Sequence, residues 1–66
     1  MVEVGDVVKV YRWDSRQEEE CDLAMVTKKE YDEDGDIWYT FLYLSGPHKD
    51  STFLLMADET DELEVL

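Results

Sequence analysis

The stretch that decides the fold is Ile37-Trp38-Tyr39-Thr40-Phe41-Leu42-Tyr43-Leu44. Side chains alternate between the two faces of a strand, so its odd-numbered and even-numbered residues would lie on opposite faces. Both sets are almost entirely apolar. A sheet this small can cover one face with its own core. The other face must curl into a barrel, contact a partner, or remain in water at a cost in free energy.

Length and composition predict one domain. A chain of 66 residues buries only about 60% of the surface that its unfolded form exposes, so its core must be dense. The apolar content of 44% includes two Trp, four Tyr and two Phe residues. Each buried aromatic side chain removes roughly 150–250 Å² from water. A core without a metal or a disulfide is therefore feasible.

Cysteine usage and hydropathy bear on the compartment. The single cysteine, Cys21, cannot form an intrachain disulfide and fits a reducing cytoplasm. No apolar run approaches the roughly 20 residues that a membrane helix needs. The N-terminal residues lack the positive charges and apolar core of a signal peptide. We expect a soluble cytoplasmic protein that is not exported.

Charge is the second informative property. Eighteen Asp and Glu residues against six Lys and Arg residues give a formal net charge of −12. Such a surface repels nucleic acid and anionic lipid, because phosphate binding needs Lys and Arg, and it attracts basic proteins. Two interpretations stay open: the acids only keep a small domain soluble, or they form a docking face for a basic protein partner. Direct contact with nucleic acid or a membrane is not expected.

Alternating apolar and polar runs predict five short strands. The order Val8, Lys9, Val10 is typical of a half-buried strand. The predicted strands are residues 6–13, 21–31, 36–44, 51–57 and 63–65, with a polar loop at 14–20, a turn at 32–36, a loop at 45–50 and one helical turn at 58–62. A helix over residues 51–63 is the alternative to the fourth strand, because short apolar runs do not distinguish the two.

The turn at 32–36 contains Asp34-Gly35 between two strand-like runs. Asp-Gly is a strong hairpin signal, because both central residues of a type I′ turn have positive φ. We therefore predict a tight β-hairpin with a type I′ turn.

The predicted order of elements resembles the SH3-like barrel. The opening Val4-Gly5-Asp6-Val7-Val8-Lys9-Val10 looks like the start of many small barrels, including Tudor-like and KOW-like domains. The closing Glu62-Leu63-Glu64-Val65-Leu66, with Leu44-Ser45-Gly46 before the last hairpin, is similar to short proteins common in bacteriophages. The resemblance implies an all-β fold, a five-stranded SH3-like barrel over residues 1–66 with a helical turn before the last strand. It implies no activity, because such barrels serve many roles.

The acidic turn invites comparison with a calcium loop. Glu30, Asp32, Asp34 and Gly35 match positions of an EF-hand loop, but Phe41 stands where the bidentate Glu is required. A charged hairpin turn with weak, unspecific cation association is the expected interpretation, and no metal site is predicted.

Residues for catalysis are scarce. His48 lies in a Gly-Pro loop, where it has no oriented nucleophile beside it. Cys21 follows three glutamates, and their negative charge disfavours the thiolate. One Cys and one His are too few for a zinc site. We predict that the protein is not an enzyme and has no cofactor.

Aromatic side chains are the remaining signal. More of them are present than a barrel of 66 residues can enclose with its aliphatic residues, so some must line the surface. Beside carboxylates, such rings could hold a cationic side chain through a cation–π contact worth roughly 0.5–2 kcal/mol. The predicted protein-binding residues are Tyr11, Trp13, Tyr31, Trp38, Tyr39 and Tyr43. The alternative without a functional role is that bent strands cover both faces. The competing functional interpretation is a homodimer that forms through the uncovered face of strand three.

The sequence thus predicts a small acidic, non-enzymatic protein-binding module or regulator with a basic protein partner. If the chain is phage-encoded, its target could be a host protein in the host cytoplasm. Two alternatives stay open. One is a DNA mimic that inhibits a nucleic-acid-binding protein, with acids at 18–20, 32–36 and 58–64. The other is a structural subunit of an oligomer.

Overall fold

The computed structural model describes residues 2–11 and 21–66. Its elements, in chain order, are β1 (Val7–Tyr11), β2 (Cys21–Tyr31), β3 (Ile37–Tyr43), β4 (Thr52–Met56), a 3₁₀ turn (Glu59–Glu62) and β5 (Glu64–Val65). The predicted all-β class is confirmed. The helix considered for residues 51–63 is wrong, because residues 52–56 form a strand and only 59–62 are helical.

The five strands form one antiparallel sheet in the order β4-β3-β2-β1-β5. Strands β1 to β4 pair with their neighbours in sequence, whereas β5 returns to β1 and pairs Val65 with Val8 and Glu64 with Lys9. Within the described part of the chain, β4 and β5 do not pair with each other. The sheet therefore has two edges, β4 and β5.

The hairpin between β2 and β3 has a different turn from the one predicted. Gly35 N–H donates to the Asp32 carbonyl at 3.1 Å, and Asp32 N–H donates to the Asp36 carbonyl at 3.0 Å. Gly35 has a φ of 84°, but Asp34 does not have a positive φ. The type I′ turn is therefore wrong. A turn followed by a left-handed glycine is the common alternative in slightly longer hairpin loops.

A β-bulge interrupts the pairing of β2 with β3 between Val26 and Lys28. Val26 lies opposite Phe41 and Lys28 lies opposite Thr40, so Thr27 is the extra residue. Without the bulge, Lys28 would lie opposite the core residue Tyr39. Residues 27–31 are all exposed, so the end of this hairpin extends beyond the core.

The core lies on one face of the sheet, called here the inner face. Its buried apolar side chains are Val2, Val8, Ala24, Val26, Tyr39 and Phe41. The odd-numbered residues of β3 face this core, and Phe53 stacks on Phe41 with ring centroids 4.8 Å apart. The opposite side of the sheet, called the outer face, carries the even-numbered residues of β3.

One charged residue is buried on the inner face. Asp22 is 4% exposed and lies opposite Val10 in the sheet. The loop after β3 packs closely here, because Leu23 N–H donates to Ser45 Oγ at 2.9 Å. Gly46 has a φ of 83°, and a Cβ at this position would overlap the Asp22 carboxylate. Both the backbone angle and the space require glycine.

Candidate functional site

The outer face of the sheet carries apolar side chains without a covering layer in the described part of the chain. Trp38, Leu42 and Met56 are half-buried, and Leu54 is 57% exposed. Leu54 lies opposite Thr40, and Met56 lies opposite Trp38, so this apolar surface is continuous from β3 to β4. An apolar surface of this kind is typical of an interaction site.

Near the hairpin, this face forms a shallow depression, called here the outer cleft. Its volume is about 260 Å³, and its lining residues are Glu30, Tyr31, Asp32, Trp38 and Leu54. It combines two aromatic rings with two carboxylates. That combination suits a cationic side chain, through both charge and the faces of the rings.

The Trp38 indole is fixed by the turn beside it. Its Nε1–H donates to Asp32 Oδ2 at 2.8 Å, while Asp32 Oδ1 accepts the N–H groups of Asp34 and Asp36, both at 2.9 Å. The indole hydrogen bond, and after it the Asp36 N–H, holds the pKa of Asp32 below its ordinary value, because these donors favour the carboxylate. The carboxylate thereby links the outer cleft to the hairpin turn.

Two lysines of the chain already occupy part of the outer cleft's surroundings. Lys29 Nζ lies 5.6 Å from the centroid of the Tyr31 ring. Lys28 Nζ lies 3.1 Å from Glu30 Oε1, and both side chains are exposed. A cationic ligand would therefore compete with Lys29 for the Tyr31 ring and with Lys28 for the Glu30 carboxylate.

A second depression, called here the inner cleft, lies between β1, β4 and the 3₁₀ turn. Its volume is about 580 Å³, and its lining residues are Val10, Tyr11, Leu55, Asp58, Glu59, Glu62 and Leu63. Val10, Leu55 and Leu63 pack against the core and give this cleft an apolar floor. The three acids form its rim, and among residues 2–11 and 21–66 no Lys or Arg lines this cleft.

The acidic rim follows from how the 3₁₀ turn is built. Asp58 Oδ1 accepts the N–H of Glu59 at 3.1 Å and caps the turn. Glu59 Oε1 accepts the N–H of Met56 at 3.1 Å. Thr60 is buried and donates its hydroxyl to the Ala57 carbonyl at 2.6 Å. These bonds hold the rim next to the end of β4.

Tyr11 lies at the other side of the inner cleft. It is half exposed at the end of β1, and its hydroxyl donates to Glu64 Oε2 at 2.8 Å. Lys9 Nζ lies 3.9 Å from the same Glu64 oxygen. Glu64 therefore fixes the tyrosine hydroxyl beside Lys9.

The predicted binding residues do not form one cluster. Tyr11 lines the inner cleft, whereas Tyr31 and Trp38 line the outer cleft. Tyr11 pairs with Cys21 at the start of β2, and Tyr31 ends this 11-residue strand. At ~3.3 Å per residue, the two tyrosines are roughly 30 Å apart.

Two of the other three predicted aromatic residues, Tyr39 and Tyr43, contribute little accessible surface. Tyr39 is 1% exposed and belongs to the core, so its ring has no surface to offer a partner. Tyr43 is half-buried on the inner face and packs against Phe53 and His48, with centroid distances of 4.8 Å and 5.5 Å. Trp13 lies outside the described residues.

Several residues of the two clefts escape prediction from the sequence. The sequence assigns Leu54 and Leu55 only to a short strand. It assigns Asp58 and Glu62 only to a helical turn. Their roles depend on the pairing of β4 with β3, which places adjacent leucines on opposite faces. The usable signal is the apolar pair Leu54-Leu55 followed closely by acids.

The hairpin turn holds the closest approach to a metal-ligating arrangement among the described residues. Asp32, Asp34 and Asp36 each offer one carboxylate oxygen, and these oxygens lie within 4.8 Å of one another. Both Asp32 oxygens already accept hydrogen bonds from the chain itself. The group closes the turn and holds Trp38, which accounts for its arrangement without an ion.

Comparisons with family models, with curated proteins and with solved structures return no match to this chain. In residues 2–11 and 21–66, no helix is long and apolar enough to cross a membrane.

Proposed function

We propose that this protein is a small non-enzymatic binding module that docks a basic segment of another protein. The inner cleft is the observation that carries the proposal. Its floor is apolar and its rim holds three acids, so a lysine or arginine could bury its aliphatic stem and keep its charge beside the carboxylates. The net charge of −12 would favour encounter with such a partner.

We further propose that the sheet is a variant of the SH3-like barrel. The strand order β4-β3-β2-β1-β5 and the 3₁₀ turn between β4 and β5 support this assignment. The resemblance to short bacteriophage proteins supports a host protein as the target, and the single cysteine supports a cytoplasmic site of action.

An NMR titration tests the proposal. The ¹⁵N-labelled protein is titrated at low salt with a capped heptapeptide of alternating lysine and valine, and in parallel with its glutamate counterpart. We expect the lysine peptide alone to shift the amide signals around the inner cleft. Shifts that are equal for both peptides, or that spread evenly over the acidic surface, would contradict the proposal.

Two matched double variants test which acidic residues contribute to the affinity for the lysine peptide. Asp58→Asn with Glu62→Gln removes two rim charges, and asparagine keeps the capping oxygen of position 58. Asp34→Asn with Asp61→Asn removes the same charge from residues that line neither cleft. Since exposed ion pairs contribute up to about 1 kcal/mol each, we expect the rim variant to weaken the peptide's Kd about tenfold. The control variant should change it less than about twofold.

A second candidate is the DNA mimic, and one observation favours it. Gly35, Asp36, Ile37, Met56, Ala57 and Asp58 line a common depression of about 310 Å³, so the acids of the hairpin turn adjoin those of the 3₁₀ turn. A mimic would need this whole acidic surface. Mimicry predicts binding to a DNA-binding protein in competition with duplex DNA. If the control variant weakens that binding as much as the rim variant does, mimicry is favoured over the cleft.

A further inference from the structure

The exposed edge of β4 presents backbone groups that the sheet does not use. Tyr43 N–H donates to the Ser51 carbonyl at 2.9 Å, and Ala57 N–H donates to the Ile37 carbonyl at 3.0 Å. Backbone groups alternate in direction along an antiparallel strand. The odd-numbered residues of β4 therefore bond to β3, and Thr52, Leu54 and Met56 direct their N–H and C=O groups away from the sheet.

Only part of this edge is closed. The Met56 N–H is bound by the Glu59 carboxylate at 3.1 Å. Beside it, Thr52 and Leu54 belong to an edge that has no neighbouring strand in the described part of the chain. The opposite edge, β5, is only two residues long and includes Glu64, whereas β4 has five residues and no charge. Of the two edges, β4 is the one that fits an added strand.

The same edge separates the two clefts. Leu54 lines the outer cleft and Leu55 lines the inner cleft. A strand added to β4 would lie about 4.8 Å from it and alternate its side chains between the two faces. Successive side chains of that strand would thus reach the outer cleft and the inner cleft in turn.

We propose that β4 docks an extended basic peptide segment by β-strand addition. This inference rests on the proposed function and names its binding mode: backbone bonds at Thr52 and Leu54, with lysine or arginine side chains beside the acidic rim. The charges select this occupant over a second copy of the chain. Two copies would bring net charges of −12 together, and their repulsion opposes pairing.

Amide hydrogen exchange with the lysine–valine heptapeptide tests the docking mode. With the free peptide at about ten times its Kd, an amide protected only in the complex exchanges about tenfold more slowly. We expect this slowing at Thr52 and Leu54, whose amides face the added strand. The Met56 amide, already bound by Glu59, should change less.

A matched pair of variants removes the outward N–H alone. Leu54→Pro deletes the outward donor and leaves the bonds to β3 in place, as proline is tolerated on strand edges. Leu54→Ala removes the same side-chain contacts but keeps the donor. We expect the proline variant to bind the peptide at least about fivefold more weakly than the alanine variant. If the proline variant does not fold, a heptapeptide N-methylated at every residue replaces it, and the unmodified peptide should bind better by the same factor.

The outcomes separate this inference from the proposed function. Peptide binding that depends on the rim acids but leaves the Thr52 and Leu54 amides unprotected overturns strand addition and leaves the basic-partner function standing. Absence of binding overturns both. A third outcome is protection of these amides without peptide that rises with protein concentration, together with a doubled mass in light scattering. It would mean that a second copy of the chain occupies the edge, and it would overturn the peptide as occupant.

Discussion

The two faces of β3 carry similar side chains in different surroundings. On the inner face, Tyr39 and Phe41 are 1% and 0% exposed and contact residues from other strands. On the outer face, Trp38 and Leu42 are only half-buried, beside the exposed Leu54. Composition alone does not separate the faces. On the inner side, Val2, Ala57 and Leu63, which lie outside the strands, pack with the core residues of the sheet.

The two faces contribute unequally to the stability of the fold. Burial of apolar area contributes about 25 cal/mol per Å², so the inner face supplies most of the free energy of folding. The outer face and the edge of β4 retain area that remains available for an intermolecular contact. Substitutions on the inner face should therefore lower the stability more than substitutions on the outer face do.

The largest effect is expected for Phe41→Ala on the inner face. It removes a fully buried ring that stacks on Phe53, and such changes cost about 3–5 kcal/mol of unfolding free energy. Urea denaturation measures the loss, and Phe41→Leu gives a milder variant if the alanine variant does not fold. A loss below about 1 kcal/mol would place the core elsewhere.

A large effect is also expected for Gly46→Ala, with Gly35→Ala as its matched control. Both glycines have φ near 84°, so each alanine costs about 1–2 kcal/mol from the left-handed backbone. Only at position 46 does the new Cβ overlap the Asp22 carboxylate. Gly46→Ala should therefore lower the melting temperature clearly more than Gly35→Ala does. Equal losses would show that the close approach to Asp22 is absent in solution.

A pH-dependent effect is expected for Trp38→Phe on the outer face. The phenyl ring keeps the apolar contact but cannot donate to Asp32, so the pKa of Asp32 should rise toward its ordinary value. A carboxyl pKa that is lower in the folded protein stabilises it above the unfolded value of about 3.9, and this stabilisation is lost as the pH falls through the folded value.

The pKa of Asp32 is measured by NMR of its carboxyl carbon, with Tyr31→Phe as a control that leaves the indole bond intact. The stability of Trp38→Phe should also change less between pH 7 and acid pH than that of the natural chain. An Asp32 pKa that is the same in both variants would remove the indole as its cause.

The smallest effect on stability is expected for Leu54→Ala. The side chain is 57% exposed, so the loss should be about 0.5 kcal/mol or less, the range of ordinary surface changes. Urea denaturation measures it beside Phe41→Ala. A loss comparable to that of Phe41→Ala would mean that the outer face is covered in solution.

Much of the strand pattern was predictable, because alternation and turn residues are local properties. The bounds of β2 match the prediction, and the odd-numbered and even-numbered residues of β3 lie on opposite faces, as alternation predicts. The turn type was not predictable from Asp34-Gly35, because Glu33 also belongs to the loop that the hydrogen bond between Asp32 and Asp36 closes. Nor was the bulge at Thr27, which depends on the register of β2 against β3.

The candidate site was predictable only in part. Three of the predicted binding residues, Tyr11, Tyr31 and Trp38, line the clefts, but the sequence cannot show that two separate clefts exist. That separation depends on β4, whose adjacent leucines face opposite sides only after β4 pairs with β3. It also misplaces Tyr39, because an aromatic residue in an apolar run gives no sign of which face is enclosed.

The return of β5 to β1 has a consequence for the kinetics of folding. Strands β1 to β4 pair with sequence neighbours, but Val8 meets Val65 only after nearly the whole chain has been traversed. Closing so long a loop costs entropy before any contact repays it. We expect β5 to dock last, and the Leu66 amide, which donates to the Val7 carbonyl, to be among the first sheet hydrogen bonds to open when the native protein fluctuates.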